Sequence, residues 1–430
     1  MTITLHCLII IVCHSAIRSS LSSADASSNT SRPPMFMSPP TFTLYNNITV
    51  PMVGLGSASG VKYSHVKLAI DVGYRFVDTA QSSSWGYREE DVGNALFDTQ
   101  MRYEDQRDGE YVFVQTKIHP EDLGYESTKK MIAISLDRLR VSSLDSILIH
   151  KPHCWPGACT REPEGTWHDS WRVLMEAYDS GTVRSIGMCD IDENLLEEML
   201  AKRIGPHVIQ NWFDPYHQDK AFRQRIQRHN IEHPERRILY QGYSSMGTQW
   251  FHHKGYTENP VLTNPTLISI ALRYGVSVPQ VVIQWATRNG VMVLPASTSS
   301  THQKSNLNSF DFTLSPEEMT TIDDMDGHPP PKPGPRELHP DEVSVNFVNR
   351  AEGTVHIYWI SDEDEHVHVG QIEAPGDSLS LTSYHGHAFA FKDHGDGEDV
   401  SGKLLGRHVV NRSLGSEQNY EIEDTSEEEL

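Results

Sequence analysis

Between Met52 and Leu294, short β-prone runs and amphipathic stretches alternate so regularly that few folds stay open. Met52–Leu55, Phe76–Thr79, Tyr111–Thr116, Ser146–Ile149, Ser185–Met188, Val208–Trp212, Ile238–Tyr243 and Val291–Leu294 read as strands. Helical patterns lie between them: Val66–Val72, Glu89–Leu96, Lys129–Leu139, Trp167–Tyr178, Glu193–Leu200, Lys220–His229, then Pro265–Tyr274 and Val278–Thr287. In Lys129–Leu139 the apolar Met131, Ile132, Ile134, Leu136 and Leu139 recur mostly three or four apart, which is one face of a helix. Eight strands with intervening helices predict a parallel (β/α)8 TIM barrel, whose chemistry gathers at the strand C-terminal ends.

The residues just after, or late in, these strands are Ser57, Asp78, Lys117, His150, Asp190, Gln210, Tyr243 and Ser297, a polar ring on one face. Asp78 sits where a strand gives way to the polar loop of Gly73–Gly93, and a carboxylate there needs a cation or hydrogen-bond donors. An acid, a lysine and a histidine converging on one mouth form a candidate catalytic cluster.

At 430 residues the chain exceeds one ordinary core, and 36 basic against 58 acidic residues, a formal charge of -22, argue against nucleic acid or anionic membrane as a main partner. Part of the excess lies in Glu417–Leu430, read as a solvated acidic tail over 416–430. The apolar run Leu5–Val12, followed by Ala24-Asp25-Ala26, reads as a signal or targeting peptide over 1–26, too short to span a bilayer. No Lys or Arg precedes it, and the Ser-rich, acid-poor Ser15–Ser31 also fits organelle targeting. A secretory or extracellular location is expected if this is a secretory signal, an organelle if a transit peptide, and the cytoplasm if neither. Cys154 and Cys159 pair in an oxidising compartment or remain loop thiols, and Cys7, Cys13 and Cys189 add no framework. Asn29, Asn47 and Asn411 head Asn-x-Ser/Thr triplets that matter only on the secretory route.

A disordered segment (27–41) precedes the barrel (42–327), and a stiff linker (328–342) containing Pro329–Pro335 ends it. Beyond it, Val343–Asn349, Thr354–Ile360, Ser378–Thr382 and His387–Phe391 alternate with period two, predicting a small β-sandwich over 343–415. His366, His368, His385, His387 and His394 raise a metal question, but no ligand geometry follows from their spacing and no metal is expected.

Pro51–Gly56, Gly73–Ala80, Leu144–Pro152, Gly181–Gly187, Gln210–Pro215, Gly242–Gly247 and Gln280–Pro295 together resemble the aldo-keto reductase family, in order, over about Phe42 to Gly327. The resemblance implies reduction of an aldehyde or ketone by NADP(H) or NAD(H), with a tyrosine donating the proton. It implies that Lys117 tunes that tyrosine, Asp78 holds Lys117, His150 orients the carbonyl, Gln210 meets the nicotinamide amide and Tyr243 stacks on its ring. The family's tyrosine position, five residues after the aspartate, holds Ser83 here; a loop longer by about two residues leaves Trp85 and Tyr87, and only Tyr87 carries a suitable proton. Cys189-Asp190 stands where the family has Ser-Asn, while Ala296-Ser297 and His302 replace the Lys-Ser and Arg that clamp a 2′-phosphate; Asn306 matches the adenine contact.

The second domain resembles the β domain of the von Hippel-Lindau tumour suppressor across about Val343 to Ser413, through Phe347–Arg350, Trp359, Pro375-Gly376 and Ser383–His387. The resemblance implies that Trp359, Ser383 and His387 receive a hydroxyproline, although the pocket tyrosine has no counterpart in Glu365–Gly370 and Phe389 replaces a tryptophan. Nothing resembles that family's helical partner-recruiting domain. Two functions are therefore expected: a carbonyl reductase with the sandwich as docking module, or a catalytically degenerate barrel whose sandwich binds proline-rich or hydroxyproline-containing peptides.

Overall fold

In the computed structural model, the described residues are 39–58, 60–106, 109–154, 159–332, 342–360, 366–384, 386–393, 403–415 and 417–423. The expected targeting peptide, His385, His394 and the last seven residues of the acidic tail lie outside them. The described chain forms two compact units, divided at about residue 333. Among the described residues no single helix is long and apolar enough to cross a membrane.

The first unit opens with a hairpin, β1 (Thr41–Thr43) and β2 (Thr49–Pro51), whose turn is set by Asn47 at φ +65°. Eight parallel strands follow: β3 (Leu55–Gly56), β4 (Phe76–Asp78), β5 (Phe113–Ile118), β6 (Ser146–Ile149), β7 (Ile186–Cys189), β8 (Val208–Trp212), β9 (Leu239–Tyr243) and β10 (Met292–Val293). They lie in sequence order, and the Val53–Val293 bridge closes the sheet into a barrel. The surrounding helices are α1 (Tyr63–Val72), α2 (Glu89–Thr99), α3 (Tyr125–Leu139), α4 (Trp167–Asp179), α5 (Glu193–Leu200), α6 (Lys220–Glu232), α7 (Thr248–His253), α8 (Pro265–Tyr274), α9 (Val278–Arg288), α10 (Ser300–Leu307) and α11 (Pro316–Asp323).

Two apolar layers hold the barrel. The larger lies between sheet and helices, around Trp171, Trp285, Phe213 and Leu96. A smaller cluster inside the barrel joins Phe76, Phe113, Leu148, Leu239 and Met292 to Leu44 and Val50 of the hairpin, which thereby covers the end opposite the strand C-termini. The hairpin packs as part of the barrel unit, its first strand starting at Thr41.

Among the described residues the second unit has seven strands: β11 (Glu342–Asn349), β12 (Val355–Ile360), β13 (His366–Ile372), β14 (Ser378–Tyr384), β15 (Ala388–Lys392), β16 (Leu404–Val409) and β17 (Glu417–Ile422). Sheets ordered β14-β11-β17 and β13-β12-β15-β16 share a core of Val345, Phe347, Ile357, Phe391 and Leu405. β17 corrects the reading of 416–430 as a solvated tail. It pairs in parallel with β11, burying Gln418 and Ile422 while Glu417, Asn419 and Glu421 face solvent. Its alternation is strand-like, but the inward set includes a glutamine and the outward set is acidic, which disguises the period.

One close approach fixes how α2 seats on its neighbour. A Cβ on Gly93 would stand 2.2 Å from the Arg138 carbonyl oxygen and 2.7 Å from the Leu139 Cα, both at the end of α3. Gly93→Ala should therefore push the two helices apart and cost about 1–3 kcal/mol. Denaturant unfolding checks this, and an unchanged midpoint would contradict the packing.

Candidate active site

Asp78 is the last residue of β4, and Lys117 lies on the neighbouring β5, its side chain reaching the same end of the barrel. The strand runs through Lys117 to Ile118, two residues past the expected end. Lys117 Nζ donates to Asp78 Oδ2 at 2.6 Å and to the Thr79 carbonyl at 2.9 Å, with both side chains almost fully buried. Burial disfavours the ammonium, but Asp78, then Tyr87, outweigh it and hold Lys117 above its ordinary range. Asp78 Oδ1 accepts from Gln115 Nε2 at 2.7 Å and from Gln210 Nε2 at 3.3 Å.

The lengthened loop folds back onto this pair. Ser83–Trp85 forms one 3-10 turn, closed by Gly86 at φ +89° with its amide on the Ser83 carbonyl. A left-handed residue suits glycine, and it reverses the chain so that Tyr87 returns to the mouth. α2 begins two residues later with Glu89, buried and accepting from Thr116 of β5 and Ser135 of α3, each at 2.6 Å. The loop exit is thus anchored to the strand that carries Lys117. Lys117 Nζ lies 4.9 Å from the centre of the Tyr87 ring, and Ser83 is exposed. Tyr87 is half-buried. Burial raises its pKa, Lys117 pulls the other way by charge and hydrogen bond, and Asp78 adds to the rise.

His150, just past β6, packs its ring edge-on 5.6 Å from Tyr87, and its Nδ1 is 3.0 Å from the Ser82 hydroxyl. Burial, then the charges of Lys117, Lys151 and His119, hold it well below its ordinary pKa, so the ring is neutral. Trp85 lies beside the His119 and His150 rings, at 4.9 and 4.7 Å, as a wall and not a proton donor.

The predicted cofactor residues separate into groups. Tyr243 ends β9 half-buried and donates to Asp190 Oδ1 at 2.8 Å; Asp190 also pairs with Lys151. Cys189 is a buried free thiol whose pKa burial pushes up to about 12. Gln210 turns its amide nitrogen into the barrel, toward Asp78 and Gln241, instead of presenting it at the mouth, because two acceptors wait there. Ser57 is buried beside the end of β3, and its hydroxyl has no hydrogen-bond partner among the described residues. Ser297 and the buried Asn306 lie before and within α10, outside the tetrad of Asp78, Tyr87, Lys117 and His150. Gln115 and Gln241, both fully buried, escaped the reading of strand ends; their signal was polar residues at inward positions of otherwise apolar strands.

Cys154 and Cys159 form a disulfide. Cys154 lines a cleft of about 700 Å³ with Pro152, Trp167, Asp190 and Leu195, which reaches the tetrad's neighbour Asp190 but none of Asp78, Tyr87, Lys117 or His150. In the second unit, Ser383 Oγ is 3.0 Å from His387 Nδ1, and the His387 ring is 5.6 Å from Trp359. The Trp359 indole nitrogen is buried without a partner among the described residues. Among the described residues no group of three or more His, Cys, Asp or Glu is arranged to hold a metal ion.

The Aldo/keto reductase family profile matches residues 60–326. The 9,11-endoperoxide prostaglandin H2 reductase of Trypanosoma cruzi is 31% identical over 288 residues, 66% of this chain and 90% of that protein. The glyoxal reductase of Bacillus subtilis is 31% identical over 303 residues, covering 69% and 97%. A solved Gox0644 variant in complex with NADPH superposes with a TM-score of 0.54 at 29% identity, covering 67% of this chain and 94% of that one.

Removing one member of a desolvated ion pair leaves the other uncompensated. Lys117→Met should cost about 3–5 kcal/mol of unfolding free energy, whereas a surface Lys130→Met should change it little. Equal effects in urea unfolding would contradict the buried pair.

Proposed function

The chain belongs to the aldo/keto reductase family, and from that premise we propose that it reduces an aldehyde or ketone with NADPH or NADH, Tyr87 giving the proton. The observation that carries this reading is Lys117 Nζ against Tyr87, with Asp78 behind it. A phenol ordinarily ionises near ~10 and is a weak acid at neutral pH. A desolvated ammonium beside its oxygen stabilises the tyrosinate left after proton donation, more strongly than it does in water. Asp78 keeps that ammonium charged and fixed. When the Ser82 hydroxyl donates to Nδ1, neutral His150 carries its hydrogen on Nε2, the form that hydrogen-bonds a carbonyl oxygen and supports the negative charge growing on it.

The residues present fit a dinucleotide at its nicotinamide end. Tyr243 offers an aromatic face at the mouth, and Ser57 a buried hydroxyl in want of a partner. Bound there, the reduced nicotinamide supplies the hydride. Toward the other end Ser297 and Asn306 remain, but Ala296 and His302 provide no permanent cation for a 2′-phosphate. NADPH thus lacks its usual advantage over NADH. The Cys154–Cys159 disulfide supports entry into an oxidising compartment.

A second reading keeps the barrel silent and gives the sandwich the function of binding hydroxyproline-containing peptides. What favours it is the meeting of Trp359, Ser383 and His387: an aromatic wall beside two groups able to read a hydroxyl. Paired proline and hydroxyproline peptides tested by calorimetry separate the readings, and equal, negligible heats remove the second.

Tyr87→Phe should abolish turnover of an aldehyde panel while leaving dinucleotide fluorescence quenching intact; retained turnover would sink Tyr87 as donor. Because burial raises Tyr87 and lowers His150, reductive kcat/KM should stay flat through neutral pH and fall only on the alkaline side, as Tyr87 loses its proton. An acid limb near the ordinary histidine value of about 6.5 would show that His150 charges. Ala296→Lys with His302→Arg should favour NADPH over NADH by about tenfold or more in fluorescence titration, since a hydrogen bond to a charged group contributes roughly 1.5–3 kcal/mol.

A further inference from the structure

Barrel interiors of this kind are ordinarily filled by branched aliphatic side chains. Directly behind Asp78 this one carries Gln115, Gln210, Gln241 and Ser146, on four strands and all buried. Parallel register sets Asp78 beside Gln115, Gln115 beside Ser146, and Gln210 beside Gln241. Gln115 lies two residues before Lys117 on β5, so both side chains project to the same side of the strand.

The hydrogen bonds form one directed lattice. Gln241 Oε1 accepts from Gln115 Nε2 at 2.8 Å and from Gln210 Nε2 at 3.0 Å, while each of those amides gives its other hydrogen to Asp78 Oδ1. Gln241 Nε2 turns to Gln115 Oε1 and Met292 Sδ, each at 3.3 Å, and Ser146 donates to Gln115 Oε1 at 3.2 Å. Reversing Gln115 would set its carbonyl oxygen against the Asp78 carboxylate, and reversing Gln241 would aim N–H groups at N–H groups. Only one orientation satisfies every member.

We propose that Gln115 and Gln241 are positioning residues: a buried amide lattice that holds Asp78, and through it Lys117, in the geometry that Tyr87 requires. The inference rests on the reductase reading of the same site. Asp78 Oδ1 is filled by the amides, so Oδ2 faces Lys117. With Asp78 and the Thr79 carbonyl taking two of the ammonium's hydrogens, the third is left for Tyr87. Gln115 also draws negative charge away from Asp78. Without it, the Asp78 carboxylate acts more strongly on Tyr87, whose proton is then held more tightly. Lys117, Asp78, Cys189, Tyr243 and the His150 ring are the titratable groups that face Tyr87. Gln115 reaches it through Asp78 and Lys117, and Gln241 through Gln115 and through Gln210, whose Oε1 is 3.8 Å from Cys189 Sγ.

The test uses the full chain with difluorotyrosine at position 87, which titrates where the protein is folded, followed by fluorine NMR. In Gln115→Leu the midpoint should rise by about one unit, a tenfold gain in proton affinity. In Gln241→Leu, which touches neither Asp78 nor Lys117, it should rise by less. In the same variants with native Tyr87, kcat should fall while the dinucleotide Kd holds. An unmoved midpoint in Gln115→Leu, confirmed folded by thermal melting, overturns the proposal; if that variant does not fold, an unmoved midpoint in Gln241→Leu does. The fluorine readout needs no turnover. Absent carbonyl reduction with a shifted midpoint counts against the reductase reading alone, and turnover with an unmoved midpoint counts against the lattice alone.

Discussion

The contact between Lys117 and Asp78 is the constraint on which the barrel's functional end depends. Two opposite charges taken out of water are costly unless every remaining donor and acceptor is met. Here Lys117 has Asp78 and the Thr79 carbonyl, with the Tyr87 ring centre 4.9 Å from its Nζ, and Asp78 has Lys117 and two amides. The partners come from β4, β5 and β8, so desolvation of one pair ties distant strands to one geometry. That geometry leaves a phenol, an ammonium and a neutral imidazole together at the open face, with the carboxylate behind them.

A tyrosine nine residues after Asp78 is compatible with this arrangement because the intervening slack is confined. One 3-10 turn takes it up, Gly86 reverses the chain in a conformation costly to other residues, and Glu89 fastens the exit to Thr116. Extra loop length costs little in closure entropy. What matters is that both ends of the loop are fixed to the strands bearing Asp78 and Lys117. Asp190, paired with Lys151 and Tyr243, shapes the mouth without touching the ion pair.

The eight strands and the helices between them were legible, because each strand is a short buried run and each long helix carries an apolar stripe. Asp78, Lys117 and His150 were legible too, as charged or polar residues closing apolar strands. Chemistry singled out Tyr87 over Trp85, but its seat against Lys117 was hidden, since spacing alone does not reveal a 3-10 turn and a left-handed glycine. The hairpin was hidden beside a Ser/Pro-rich segment, in strands of three residues, too short to show a period. β17 was hidden by its charge. Gln115 and Gln241 were passed over because attention to strand ends ignores the layer beneath, where a polar residue is the exception needing a reason. The pairing of Cys154 with Cys159 was open because five-residue spacing allows either state.

The central claim is that Tyr87, held against Lys117, hands a proton to a carbonyl oxygen as hydride arrives. A single-turnover experiment tests it most directly: full-length protein preloaded with reduced dinucleotide is mixed with an aldehyde, and nicotinamide absorbance is followed as the pH is raised. The account predicts one equivalent of absorbance lost, at a rate constant through neutral pH that declines as Tyr87 ionises. Dinucleotide that binds but loses no absorbance at any pH would contradict it.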